Sequence, residues 1–167
     1  MTEKQAARNE KQAGIMIRRY EALDRFQVWE LHREGMLQTA SEYPDVDPSY
    51  EDDLRATEET YLTDGSHFWV AEAEGRLVGM AAIKRVDAET GRLRRMRVTA
   101  ARRRRGIAQA LLDTAVGFCR AHGYKRIVLD TTERQTAAHR LYERNGFVRV
   151  SERGLGPFRV FDYELVL

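Results

Sequence analysis

The sequence predicts one α/β domain built on a mixed, mainly antiparallel central sheet with helices on both faces, and three observations carry that prediction. Residues 93–122 read as strand, tight turn and helix. Leu93, Met96 and Val98 mark the strand, the run from Arg102 to Ala108 forms the turn, and Leu111, Leu112, Ala115, Phe118 and Cys119 form a helical apolar stripe. Residues 126–130 add a short strand around Ile127, Val128 and Leu129, and a strand-helix-strand crossover makes the two strands parallel neighbours. Two strands ahead of this unit and its own first strand follow one another through short turns. They form an antiparallel meander, because a parallel link needs a crossover of about a dozen residues or more.

In chain order, residues 1–13 are polar and charged and read as a flexible tail or a frayed helix, which sets the domain at residues 14–167. Ile15, Met16 and Ile17 begin the first strand, closed by Arg18 and Arg19. Residues 21–37 carry helical spacing in Phe26, Trp29, Leu31 and Met36 on an imperfect apolar face. Pro44 and Pro48 break residues 41–49 into a loop, and residues 50–61 read as one short acidic helix. Residues 68–73 and 77–86 are strands around the hairpin pair Glu74-Gly75. The long helix stops at Gly123, where a left-handed residue suits a helix end. A second helix covers residues 135–144, with Ala138, Leu141 and Tyr142 on one face and Asn145-Gly146 as its stop. Residues 147–150 and 159–165 are the last strands, joined through Gly154, Gly156 and Pro157.

A chain of 167 residues can bury one sizeable core and is too short for two ordinary domains. Its single cysteine, Cys119, excludes a disulfide scaffold and reads as buried filler. The four histidines form no compact metal motif with cysteine or carboxylate, so no metal is expected. No long apolar run marks a leader or a membrane span, which makes the cytoplasm the expected location and a membrane no expected partner. Charge is unevenly placed. Residues 42–59 hold eight acidic residues and one arginine, whereas residues 92–105 hold eight arginines. The basic stretch suits an anionic ligand, the acidic one a cationic partner or substrate, and either can equally be wet surface.

Gly106 at the start of the long helix lets a ligand approach the backbone, and the first helical turn leaves about four amides without intrahelical partners. Those amides and the positive end of the helix dipole suit a phosphate or pyrophosphate. The plain alternative is a turn glycine beside solvated arginines.

The strand Leu93-Arg94-Arg95-Met96-Arg97-Val98, the turn Arg103-Arg104-Arg105-Gly106-Ile107-Ala108, Leu129-Asp130, and Gln135 through Ala138 to Leu141-Tyr142-Glu143-Arg144-Asn145-Gly146-Phe147 together resemble the GNAT superfamily of N-acetyltransferases, in order and spacing over residues 68–147. The resemblance implies a GNAT-like fold with a CoA-binding parallel core and an enzyme that uses acetyl-CoA as cosubstrate. It implies that backbone amides of Arg103, Arg104, Arg105, Gly106, Ile107 and Ala108 cradle the pyrophosphate, and that Met96, Arg97 and Val98 pair with the pantetheine arm where the two parallel strands splay. A backbone amide near Met96 or Arg97 would steady the thioester oxygen, and Tyr142 would protonate the departing thiolate.

Gln135 stands where many relatives have Asn and can still hydrogen-bond the pantetheine or a loop carbonyl. Arg92 stands where many relatives carry a glutamate base. That departure leaves deprotonation to water or to a carboxylate such as Glu89 or Asp130. His139 reads as a solvated or packed histidine, Thr131 and Thr132 as loop or capping residues, and Phe68, Trp69 and Phe118 as core. Trp29, Tyr43, Tyr50 and Tyr61 are candidates for the acceptor pocket. The cavity floor depends on how Met80, Met96 and the two final helices pack.

The finer likeness is to members that acetylate small amines, including amino acids and cysteine conjugates, which makes a small-molecule amine the expected partner. A protein N-terminus or lysine, a noncatalytic CoA-binding regulatory domain and a nucleic-acid-binding module are the alternatives. Nucleic acid is disfavoured because the arginine run spans strand and turn, so its side chains should diverge. The final strands and the long polar helices are the two surfaces through which a homodimer would form.

Overall fold

The computed structural model describes residues 3–40 and 47–167, so Tyr43 lies outside the described residues. Its centre is a seven-stranded sheet in the order β1-β2-β3-β4-β5-β7-β6. The strands are β1 (Met16–Arg19), β2 (His67–Ala73), β3 (Arg76–Arg85), β4 (Thr90–Val98), β5 (Arg126–Thr132), β6 (Val148–Leu155) and β7 (Phe158–Val166). Only β4 and β5 are parallel; every other neighbouring pair is antiparallel. The mixed sheet with one parallel crossover is the architecture the sequence predicts.

The central strands are buried on both faces, which is why β2 and β3 are apolar almost throughout. Phe68, Val70, Met80 and Ala82 point into one core with Tyr20, Val28, Leu54 and Tyr61. Trp69, Ala71, Ala81 and Ile83 point into the other with Leu93, Ile107, Leu111, Leu141 and Tyr142. Helices α2 (Arg25–Ala40), α3 (Asp52–Arg55) and α4 (Thr57–Tyr61) cover the first. The second lies under α5 (Ile107–Ala121) and α6 (Thr136–Arg144), with α1 (Glu3–Ala13) alongside α5. No helix among the described residues is long and apolar enough to cross a membrane.

Local chemistry sets the element ends. Glu74 and Gly75 both have positive φ, 53° and 74°, the paired left-handed turn that matches strand twist. Gly123 and Gly146 follow α5 and α6 at φ +77° and +91°.

Four expectations need correction. Of the two readings of the first residues, the flexible tail is the one to correct: residues 3–13 form helix α1, which packs beside α5, and the Glu10 carboxylate accepts the Ile17 amide at 2.6 Å. The helix expected from residue 21 begins at Arg25, after a 3-10 turn over Ala22–Asp24 whose Asp24 is gripped by Arg18 at 2.8 and 2.9 Å. Residues 50–61 are not one helix, because Ala56 at φ −120°, ψ 51° divides α3 from α4. Strand β6 runs through Gly154 to Leu155, so that glycine lies in the strand rather than the turn.

Candidate functional site

Backbone pairing makes the opening. Strands β4 and β5 pair only from Thr90↔Arg126 to Arg92↔Val128, after which residues 93–98 of β4 have no strand on that side among the described residues. On its other side β4 stays bonded to β3, but with a bulge: Ala82 faces Arg94 and Met80 faces Arg97, leaving Arg95 and Met96 opposite Ala81 alone. Arg95 carries φ +57°, a left-handed conformation costly for a non-glycine residue. Its side chain explains how the conformation is held. The guanidinium is buried against Asp53, with Nε 2.9 Å from Oδ2, and lies over the Tyr50 ring at 4.6 Å. Tyr61 donates its hydroxyl to the same carboxylate. Burial alone would raise the Asp53 carboxyl, but the Arg95 guanidinium and the Tyr61 hydroxyl together hold it below its ordinary value.

A cavity of about 640 Å³ lies at this opening and brings together Met96, Arg97, Gln135 and Tyr142. Tyr142 is only 6% exposed, and among the described residues its hydroxyl has no hydrogen-bond partner. Burial pushes the phenol up, with Arg97 pulling it partly back, so it remains protonated at neutral pH. Arg97 forms no ion pair among the described residues; Met36 Sδ is 3.8 Å from its Nη2, and burial lowers its pKa. It fits beneath α2 because residue 35 is glycine: a Cβ there would stand 2.3 Å from the guanidinium. Gln135 receives the Thr131 hydroxyl on its side-chain oxygen at 2.6 Å, which leaves the amide NH2 to donate.

Val98 and residues 103–108 lie outside this cavity, at and beyond the end of β4. Gly106 has φ +79°, and no atom lies within 4 Å of where its Cβ would be. Ala110 donates to the Gly106 carbonyl as the first helical bond, so the amides of Gly106, Ile107, Ala108 and Gln109 have no intrahelical partner. Ile107 is buried in the core while Arg103, Arg104 and Arg105 are exposed.

Other candidates divide sharply. Tyr50 and Asp130 line the cavity. Asp130 is the carboxylate of that wall and is engaged by Arg153 at 2.8 Å. Glu89 is at the far, paired end of β4, joined to Lys125. His139 Nε2 donates to the Thr132 carbonyl at 2.8 Å, a structural role. Thr132 places its own hydroxyl in the interior without a partner, and so caps nothing. Tyr61 is fully buried core, and Trp29 packs at the edge of the same core; neither lines the cavity. Phe118 is half-buried, whereas Phe68 and Trp69 are core. Met96 lines the cavity and Met80 does not. Burial pushes the Cys119 thiol up to about 12, fitting filler.

Sequence reasoning missed the Asp53–Arg95–Tyr61 cluster and a cationic part of the cavity wall made by Lys84, Arg92 and Arg94. The available signal was the alternation of Arg92 and Arg94, which puts both on one face of β4. A second cavity of about 660 Å³ between α2 and the start of β3 holds none of the predicted site residues. Among the described residues no group of three His, Cys, Asp or Glu side chains is placed to hold a metal ion.

A family model described as acetyltransferase (GNAT) family matches residues 27–147. N-acetylaspartate synthetase of Danio rerio is 47% identical over 89 residues, which are 53% of this chain and 32% of that protein. N-acetyltransferase 8 of Homo sapiens is 38% identical over 113 residues, 64% of this chain and 50% of that protein. The chain thus spans half or less of the length of these relatives. An acetyltransferase structure from Streptococcus agalactiae superposes with a TM-score of 0.81 at 25% identity, covering 92% of this chain and 99% of that one.

Proposed function

The chain belongs to the acetyltransferase (GNAT) family, and from that premise we propose that it transfers an acetyl group from acetyl-CoA to the primary amine of a small molecule by direct attack in a ternary complex. The residues present fit the cosubstrate. The open space over Gly106 and the free amides of residues 106–109 suit a pyrophosphate. The unpaired edge of residues 93–98 offers donors and acceptors to a chain that pairs as an extra strand, and the Gln135 amide can add a further donor.

Acetyl-CoA supplies an activated thioester carbonyl. The β4 edge orients it, with a backbone amide at Met96 or Arg97 to hold the oxygen on which negative charge develops. A carbon–nitrogen bond forms and the carbon–sulfur bond breaks; the amine gives its proton to water, and the sulfur leaves as a thiolate that takes a proton back from water to end as the thiol. Tyr142 carries this reading, because a buried phenol with no hydrogen-bond partner among the described residues is a donor held in reserve. Its pKa lies above the ordinary value near 10 and a thiol sits near 8.5, so full proton transfer is uphill. The contribution of Tyr142 is therefore a hydrogen bond to the departing sulfur. Arg92 occupies the expected base position and Asp130 is engaged by Arg153, which leaves the amine proton to water.

A small acceptor is supported by the likeness to a relative named for making an acetylated amino acid. The test is acetyl-CoA turnover across amino acids, polyamines, arylalkylamines and N-terminal peptides, with product mass measured. Tyr142→Phe is expected to lower kcat about 100-fold with CoA affinity retained. Retained turnover in the variant would remove Tyr142 from the chemistry. Failure of every amine while CoA still binds would turn the reading to a noncatalytic CoA-binding domain, and preference for peptides would turn it to protein acetylation.

A further inference from the structure

We propose that the acceptor is an anionic amine, one that carries carboxylate beside its amino group, and that Lys84, Arg92 and Arg94 grip it. The inference rests on the acetyltransferase reading and narrows it. Lys84 and Arg92 are register partners on β3 and β4, and Arg94 lies two residues along on the same face of the strand. All three line the cavity that holds Tyr142 and Met96.

Unmet charge is what makes this wall a site. Arg85 is paired with Asp64 at 3.2 Å, and Arg95 spends its charge on Asp53. Arg94 stands 3.7 Å from the same Asp53, sharing a carboxylate that Arg95 already occupies. On β5, Asp130 is the facing acid and belongs to Arg153. Lys84 and Arg92 make no ion pair or side-chain hydrogen bond among the described residues, and Arg97 adds a further unpaired cation in the same cavity.

A wall of this sign has two effects on an amine. It attracts carboxylates, and a guanidinium offers them paired donors. It also repels an ammonium, so a bound amine is pushed toward its neutral, nucleophilic form. The second effect compensates for the arginine that stands where a base is expected. Cross-strand neighbours such as Lys84 and Arg92 lie about 5 Å apart, and Arg94 is about 7 Å further along. That spacing provides two cationic points, enough for the two carboxylates of an acidic amino acid.

The experiment compares kcat/KM across amines graded in charge at fixed, saturating acetyl-CoA: aspartate and glutamate, asparagine and glutamine, their carboxamides, and spermidine. Each carboxylate removed is expected to cost about 10-fold or more, with spermidine last. Arg92→Gln and Lys84→Gln should each raise KM for the acidic acceptors about 10-fold while leaving CoA affinity unchanged. Arg92→Glu should shift preference toward neutral or cationic amines. A flat profile, or a preference for spermidine, overturns the inference and leaves the acetyltransferase reading standing. If no amine is acetylated, that reading fails instead. Calorimetric binding of glutamate against glutamine to the CoA complex then decides the charge preference alone, with equal affinities overturning it.

Discussion

The two halves of the site are built from different materials. The half assigned to the cosubstrate is backbone: free amides at the start of α5, an unpaired strand edge, and a left-handed glycine. The half proposed for the acceptor is side chain: a cationic wall on β3 and β4, a tyrosine ring, and a buried ion pair that holds the bulge between them. A backbone site tolerates replacement of its side chains provided the conformation survives. A side-chain site fails residue by residue.

The largest test of that contrast is Asp53→Asn. It leaves the Arg95 guanidinium buried with no countercharge among the described residues, and is expected to cost about 3–5 kcal/mol in urea unfolding at neutral pH. The Asp53 carboxyl is held below its ordinary value in the folded state, so its contribution is complete above the unfolded value near 3.9. That contribution is lost as pH falls through the lower folded value. Wild type should therefore lose its advantage over the variant only below about pH 4.

A smaller effect is expected on the backbone side. Gly106→Ala places a Cβ where no protein atom touches it, so its cost to the free protein is conformational, about 1–2 kcal/mol at a positive φ, and the same Cβ takes up space proposed for the pyrophosphate. It should appear as weaker CoA binding in calorimetry, with kcat at saturation little changed. The smallest effect belongs to Arg104→Ala. Its exposed charge should alter CoA affinity by about 2- to 5-fold at low salt and less at high salt. A larger loss from Arg104→Ala than from Gly106→Ala would reverse the distinction between the halves.

The same contrast decided what could be read from the sequence. Turns and helix ends are local, so Glu74-Gly75, Gly106, Gly123 and Gly146 announced themselves through residue type. The crossover followed from element order alone. The bulge at Arg95 had no such signature, because an arginine at positive φ is held there by Asp53, forty-two positions earlier in the chain. The acidic stretch read as one helix for the same reason: Asp53 and Tyr61 turn inward to a partner that sequence spacing does not reveal. Tyr61 and Trp29, candidates for the acceptor pocket by position alone, lie in and against the core, whereas Tyr50 reaches the cavity as the roof over Arg95.

The short run of pairing between β4 and β5 has a mechanical consequence. With only three residue pairs joining them, the sheet is two plates on one hinge line, β1 to β4 on one side and β5 to β7 on the other. Helix α5 is the strap across the back, packed on β3, β4 and β5 alike. Any molecule that lies along the free margin of β4 works as a wedge and a rivet together: it keeps the plates apart at the mouth and ties them into one stiff body.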